Sequence, residues 1–150
     1  DKVMAKLRSI LALVCCTLVA IVMVGCSGPQ AVKPTYTPEK IAEIQGYAQE
    51  LTELSDRLPE LQKLIQQEDF IFARNFIHGP LGEIRIRMSR IAGSLLPNEQ
   101  KPARDLAKQI ANDLVEIDQA SAANNYKDAV RYYGETVKDL DAFTKLIPQG

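Results

Sequence analysis

Residues 125–148 read NYKDAVRYYGETVKDLDAFTKLIP, and the spacing of their apolar positions decides the fold class. Tyr126, Val130, Tyr133, Val137, Leu140, Thr144 and Ile147 recur at steps of three and four, which draws one stripe along an amphipathic helix. Asn125 can cap its start with Asp128 three residues on, and Pro148 stops it. The same period runs back along the chain. Ala103, Leu106, Ile110, Leu114, Ile117 and Ser121 mark a third helix, with Asn98 as its cap and Asn124 and Asn125 at its end. Phe70, Ala73, Ile77, Leu81, Ile84, Met88, Ile91 and Leu95 mark a second, from about residue 69 to 95. His78-Gly79-Pro80 lies inside it, and a local bend is expected where Pro80 removes a backbone donor. The first helix opens at Thr37 as cap, with Pro38 in the first position, where its missing N–H costs nothing. It carries Ile41, Ile44, Ala48, Leu51, Leu54, Leu58, Leu61 and Ile65, and Pro59 is expected to kink it or break it near Arg57, a kink being favoured because the stripe continues. The connections are too short for parallel neighbours. The expected architecture is therefore all-α, an up-down-up-down four-helix bundle over residues 38–150.

Ahead of the bundle the pattern changes. Lys6 and Arg8 precede a charge-free run, almost wholly apolar from Ile10 to Val24, that leads into Gly25, Cys26, Ser27 and Gly28. A basic start, an apolar centre and a small-residue exit describe a secretory leader, with Met4 as its expected start. Met23-Val24-Gly25-Cys26 resembles a lipobox, in which the Cys receives a diacylglyceryl group and becomes the new N-terminus; Met23 departs from the usual Leu. Residues 1–25 are thus expected to be a lipoprotein signal peptide and 26–37 a lipidated tether containing Pro29 and Pro34. An uncleaved signal anchor is the alternative. Two acyl chains on Cys26 satisfy the requirement for stable anchoring. Cys15 and Cys16 would leave with the leader, so the bundle itself carries no thiol.

The 150-residue chain has a net charge of −1. Loss of Lys2, Lys6, Arg8 and Asp1 with the leader leaves 15 basic and 18 acidic groups, a net of −3. That excludes a global attraction to nucleic acid or to anionic lipid. No nucleotide loop, nucleophile elbow or zinc spacing occurs, so an enzyme is the least supported class and no catalytic or metal-ligating residue is assigned. His78, the only histidine, is expected to bond a backbone carbonyl at the helix bend. Glu50, Glu53, Asp56 and Glu60 form one solvated face, and Asp113, Glu116 and Asp118 another. Arg85, Arg87 and Arg90 are the candidate partner-binding residues, because guanidinium forks pair with the carboxylates of an acidic protein surface; the alternative is a solvated basic face. Tyr132 is a candidate exposed contact, while Tyr126 and Tyr133 are expected in the core. Glu68-Asp69-Phe70 echoes Asn124-Asn125-Tyr126, each a turn, a cap and an aromatic start. A tetratricopeptide array is not supported, since its 34-residue period is absent.

The run Gln67-Glu68-Asp69-Phe70 through Phe76-Ile77-His78-Gly79-Pro80-Leu81-Gly82-Glu83, with the surrounding layout, resembles the Q-type extrinsic subunit of photosystem II in its cyanobacterial lipoprotein form. The resemblance covers essentially all of the mature chain, and the second-helix segment is its specific part. It implies a bundle on the lumenal face of the thylakoid membrane that contacts the chlorophyll-binding antenna subunit and the manganese-stabilising extrinsic subunit. It implies support of water oxidation, stabilisation of the active dimeric complex, and calcium and chloride retention, with no cofactor bound by the bundle beyond the lipid on Cys26. The competing readings are a helical periplasmic adaptor or chaperone lipoprotein, and a metal carrier centred on His78.

Overall fold

The computed structural model describes residues 2–4, 6 and 31–150. It divides into two compact units, residues 1–34 and Thr35–Gly150. In the first, residues 2–4 and 6 are helical and 31–34 have no regular structure. The expected leader over residues 1–25 falls almost wholly outside the described residues, and so does the lipobox with Cys26.

Every regular element of the second unit is an α-helix. Its elements are α1 (Pro38–Ser55), α2 (Leu58–Gln66), α3 (Phe70–His78), α4 (Ile84–Ser94), α5 (Pro97–Ala122) and α6 (Tyr126–Thr144). Grouped as α1–α2, α3–α4, α5 and α6, these are the four antiparallel segments of the bundle. The pairings close a ring: α1 meets α4, α2 meets α3, α3 and α4 both meet α5, α5 meets α6, and α6 returns to α2.

The two prolines break their segments more fully than a kink. Pro59 cannot donate to the carbonyl of Ser55, and its ring crowds that turn. The chain answers with a tight turn at Asp56 and Arg57, where Arg57 N–H bonds Leu54 O at 3.1 Å. Both turn residues keep right-handed helical backbone angles, so the apolar stripe resumes at Leu58. At Pro80 the interruption spans residues 79–83. Leu81 N–H reaches back to Phe76 O at 3.1 Å and Gly82 N–H to Gly79 O at 3.0 Å. Gly82 is required there, since a Cβ would lie 2.7 Å from the His78 carbonyl oxygen.

The caps at Thr37 and Asn125 form as expected. Thr37 Oγ1 accepts from Lys40 N–H at 3.2 Å, and Asn125 Oδ1 from Asp128 N–H at 3.1 Å. Asn98 is not a cap. Helix α5 already starts at Pro97, and the Gln100 side chain instead donates to Leu95 O at 2.9 Å. The echo between the two turns is structural. Glu68 and Asn124 both adopt left-handed angles, with φ of 54° and 52°. Asp69 N–H bonds Leu64 O at 2.9 Å and Asn125 N–H bonds Ala120 O at 2.7 Å, the long return bond of a Schellman ending. Tyr36, expected in the tether, belongs to the bundle: its hydroxyl accepts from Leu96 N–H at 3.0 Å and donates to the Glu99 carboxylate.

Every residue of the expected α3–α4 stripe is buried, joined by Phe76 and Ala92. Each large side chain removed from water contributes about 1.5–3 kcal/mol. Helix α6 departs from expectation. Its buried face is Ala129, Thr136, Leu140 and Phe143, continued by Ile147, whereas Tyr126, Val130 and Val137 are exposed and Thr144 also faces solvent. Tyr133 is half-buried, and so is Tyr132, which packs on the core beneath Arg131. The most extensive contact of α6 is with α5. Small residues, Ala129 and Thr136, take the inward positions in the first half of α6 while Tyr126, Val130 and Val137 turn outward, and Leu140 and Ile147 of the expected stripe are buried.

Candidate functional site

The three candidate arginines sit on α4 but serve two faces. Residues two apart on a helix point to nearly opposite sides. Arg87 and Arg90 therefore turn toward α1, where both meet Glu50. Arg90 reaches that carboxylate at 3.2 Å and stacks over Tyr47, 5.2 Å from the ring centre. Arg87 also holds Glu83 at 2.7 Å. Its hydrogen bond to Glu83 leads the causes that raise its pKa above the usual guanidinium value. These two cations are already matched within the bundle.

Arg85 turns the other way, toward α5. There it lines a groove of about 290 Å³ with Ser89, Arg104, Lys108, Asn112 and Val115, over a floor of Ala107 and Ala111. Arg104 Nη2 donates to Gln100 Oε1 at 3.0 Å, but no carboxylate approaches it. Among the described residues Arg57, Arg74, Arg87, Arg90 and Arg131 each hold an acidic partner. Arg85 and Arg104 hold none, and both line this groove. Arg104 and Lys108 were missed by sequence reasoning, although their four-residue spacing on one helix face was a usable signal.

Arg85, Ala111 and Val115 also line the neighbouring stretch of the same interhelical face, a recess of about 420 Å³ that reaches Leu81, His78 and Asp118. The turn at 79–83 opens it by interrupting the segment that would otherwise cover α5. His78 does not bond a backbone carbonyl. Its Nε2 lies 2.9 Å from Asp118 Oδ1, which also accepts from Arg74 Nε at 3.1 Å. Asp118, expected on a solvated face, is thus the anchor of a three-residue cluster between α3 and α5.

On the acidic faces Glu50, Glu60 and Asp118 are paired. Glu50 is taken by Arg87 and Arg90, and Glu60 by Arg57, whose hydrogen bond holds the Glu60 carboxyl below its usual range. Among the described residues, no group of three or more His, Cys, Asp or Glu is placed to hold a metal ion. Asp113 is not solvated at all: only 2% of it is exposed. Gln109 Nε2 donates to its Oδ1 at 2.9 Å, while Oδ2 has no donor. Burial raises its pKa above the usual carboxylate value, and the nearby Asp139 and Glu135 add to the rise.

No described helix is long and apolar enough to cross a membrane. The family model described as PsbQ, oxygen evolving enhancer protein 3, matches residues 2–148. A curated relative, CyanoQ of Synechocystis sp., is 40% identical over 148 residues, covering 97% of this chain and 99% of the relative. The match runs almost from end to end, and the chain belongs to the PsbQ family of oxygen evolving enhancer proteins.

Proposed function

We propose that this chain is a non-catalytic extrinsic subunit of photosystem II, held at the lumenal face of the thylakoid membrane by lipid on Cys26. The observation that carries the reading is the family match over nearly the whole chain. Two features of the bundle agree with it. Charged pairs fasten one helix to another at Glu50 with Arg87 and Arg90 and at Asp118 with Arg74, as befits a rigid docking body. Its uncompensated basic groove offers an attachment point on a chain that is otherwise mildly acidic. The partners in this reading are the chlorophyll-binding antenna subunit and the manganese-stabilising extrinsic subunit. The bundle supplies no ligand to the manganese–calcium cluster. It stabilises the oxygen-evolving complex by covering its lumenal side and slowing loss of calcium and chloride.

The lipid acts through concentration. Confinement to the membrane surface converts docking into a nearly intramolecular event, so a modest interface suffices. Removing the gene and assaying oxygen evolution in calcium- and chloride-depleted medium tests the role. Activity should fall and return on complementation; unchanged activity at low calcium and chloride would overturn it. Cys26→Ala should lower occupancy of the photosystem while the bundle stays folded, and full occupancy would remove the anchor from the account.

A further inference from the structure

The groove between α4 and α5 has a charge that nothing in the bundle answers. Its wall residues Arg85 and Arg104 are the arginines without an acidic partner among the described residues, and Lys108 stands one turn from Arg104. The floor is different in kind: Ala107 is buried and Ala111 half-buried, and Val115 beside them is 52% exposed. Ser89 and Asn112 add hydrogen-bonding groups along the rim. A cationic wall, an apolar floor and polar rim groups together suit a polypeptide segment, whose carboxylates, side chains and main chain each find a match.

We infer that this groove seats an extended acidic segment of a protein partner, with carboxylates against Arg85, Arg104 and Lys108 and apolar side chains over Ala111 and Val115. The inference rests on the functional reading above for the identity of that partner, as a photosystem subunit. Size is consistent: from Arg104 to Asp118 the α5 axis rises roughly 21 Å at 1.5 Å per residue, enough for about six extended residues at 3.3 Å each. Guanidinium groups favour carboxylates, since the planar fork accepts both oxygens at once. At the far end Asp118 is already paired with Arg74 and hydrogen-bonded to His78, so its repulsion of an acidic occupant is offset. An anionic lipid headgroup is the weaker fit, because it has no use for the apolar floor.

The test uses the full chain and two probes: a synthetic peptide of alternating Glu and Leu, titrated in detergent, and vesicles containing phosphatidylglycerol, added after the detergent is removed. Joint replacement Arg85→Glu, Arg104→Glu and Lys108→Glu should weaken peptide binding at least tenfold. The control Lys63→Glu with Lys127→Glu, elsewhere on the surface, should change it less than twofold. The milder set Arg85→Gln, Arg104→Gln and Lys108→Gln should also weaken it, with circular dichroism reporting that each variant is folded. Equal peptide affinity in groove and control variants overturns the proposal. So does a groove variant that loses vesicle binding while peptide binding is unaffected, which would make the occupant a lipid. Retention on purified photosystem II is then measured for wild type and groove variant. Failure of the wild type itself sinks the functional reading and leaves the peptide result to decide the groove. Retention of both alike at rising salt counts against the groove as the docking contact.

Discussion

Replacing Asp113 by Asn should make the bundle more stable at neutral pH. Asp113 lies between α5 and α6, 2% exposed, with one carboxylate oxygen held by Gln109 and the other without a donor. A buried polar atom left unpaired costs about 1–3 kcal/mol. An Asn side chain keeps the acceptor for Gln109, removes the charge, and offers an N–H toward the Asp139 carboxylate. The expected gain of about 1–3 kcal/mol corresponds to a rise in Tm of roughly 4–10 °C for a domain of this size. The gain must depend on pH in a definite direction. Burial, first, and the acidic neighbours raise the folded pKa of Asp113 above its unfolded value of about 3.9. Below the unfolded value both states are protonated and the Asp carries no penalty of charge. As pH rises through the folded value the folded state must give up that proton, and stability is lost. The difference between Asn and Asp forms should therefore grow from acid to neutral pH. Urea titrations followed by circular dichroism from pH 3 to 8 measure it directly. An Asn variant less stable than wild type at pH 7, or a difference that shrinks with rising pH, would refute the buried-carboxylate argument.

Three further outcomes follow from the turns and the split arginines. Glu68→Gly should stabilise by about 0.5–1 kcal/mol, because the left-handed φ at 68 strains any residue with a Cβ; thermal melts that show a loss would contradict the Schellman reading. Gly82→Ala should destabilise by about 1–3 kcal/mol, since its Cβ meets the His78 carbonyl, and hydrogen exchange should rise first in residues 79–83. Arg87→Glu should lower Tm more than Arg85→Glu, as it faces Glu50 and Glu83 while Arg85 faces no carboxylate. Equal melting temperatures would mean that the α1–α4 pairs add nothing.

Local chemistry made much of this fold readable before any coordinates. Thr37 and Asn125 announce their helices because a cap needs only a short polar side chain and a backbone N–H two or three residues on. The α3–α4 stripe reads correctly because large apolar residues occupy every inward position. Helix α6 reads only in part, with Leu140 and Ile147 buried as expected, for the opposite reason. Its inward face begins with Ala129 and Thr136, which periodicity weighs lightly, while Tyr126, Val130 and Val137 draw a stronger stripe on the outside; only toward its end do the large residues Leu140 and Phe143 turn inward. Depth was also hidden for charged residues: Asp113 and Asp118 sit at helical spacings that suit a solvated face, and only the pairing of α5 with its neighbours buries one and clusters the other. The same holds for the groove. That Arg85 stands apart from Arg87 follows from helix geometry, but its meeting with Arg104 and Lys108 depends on which helix lies beside α4.

The account stands most directly on what the protein holds in its own membrane. Tagged chain should be recovered from detergent-solubilised thylakoids and its companions identified by mass spectrometry. The account predicts co-recovery of photosystem II core subunits, the chlorophyll-binding antenna subunit among them, together with the manganese-stabilising extrinsic subunit. Recovery of unrelated clients, or of the chain alone under conditions that keep the photosystem intact, would contradict it.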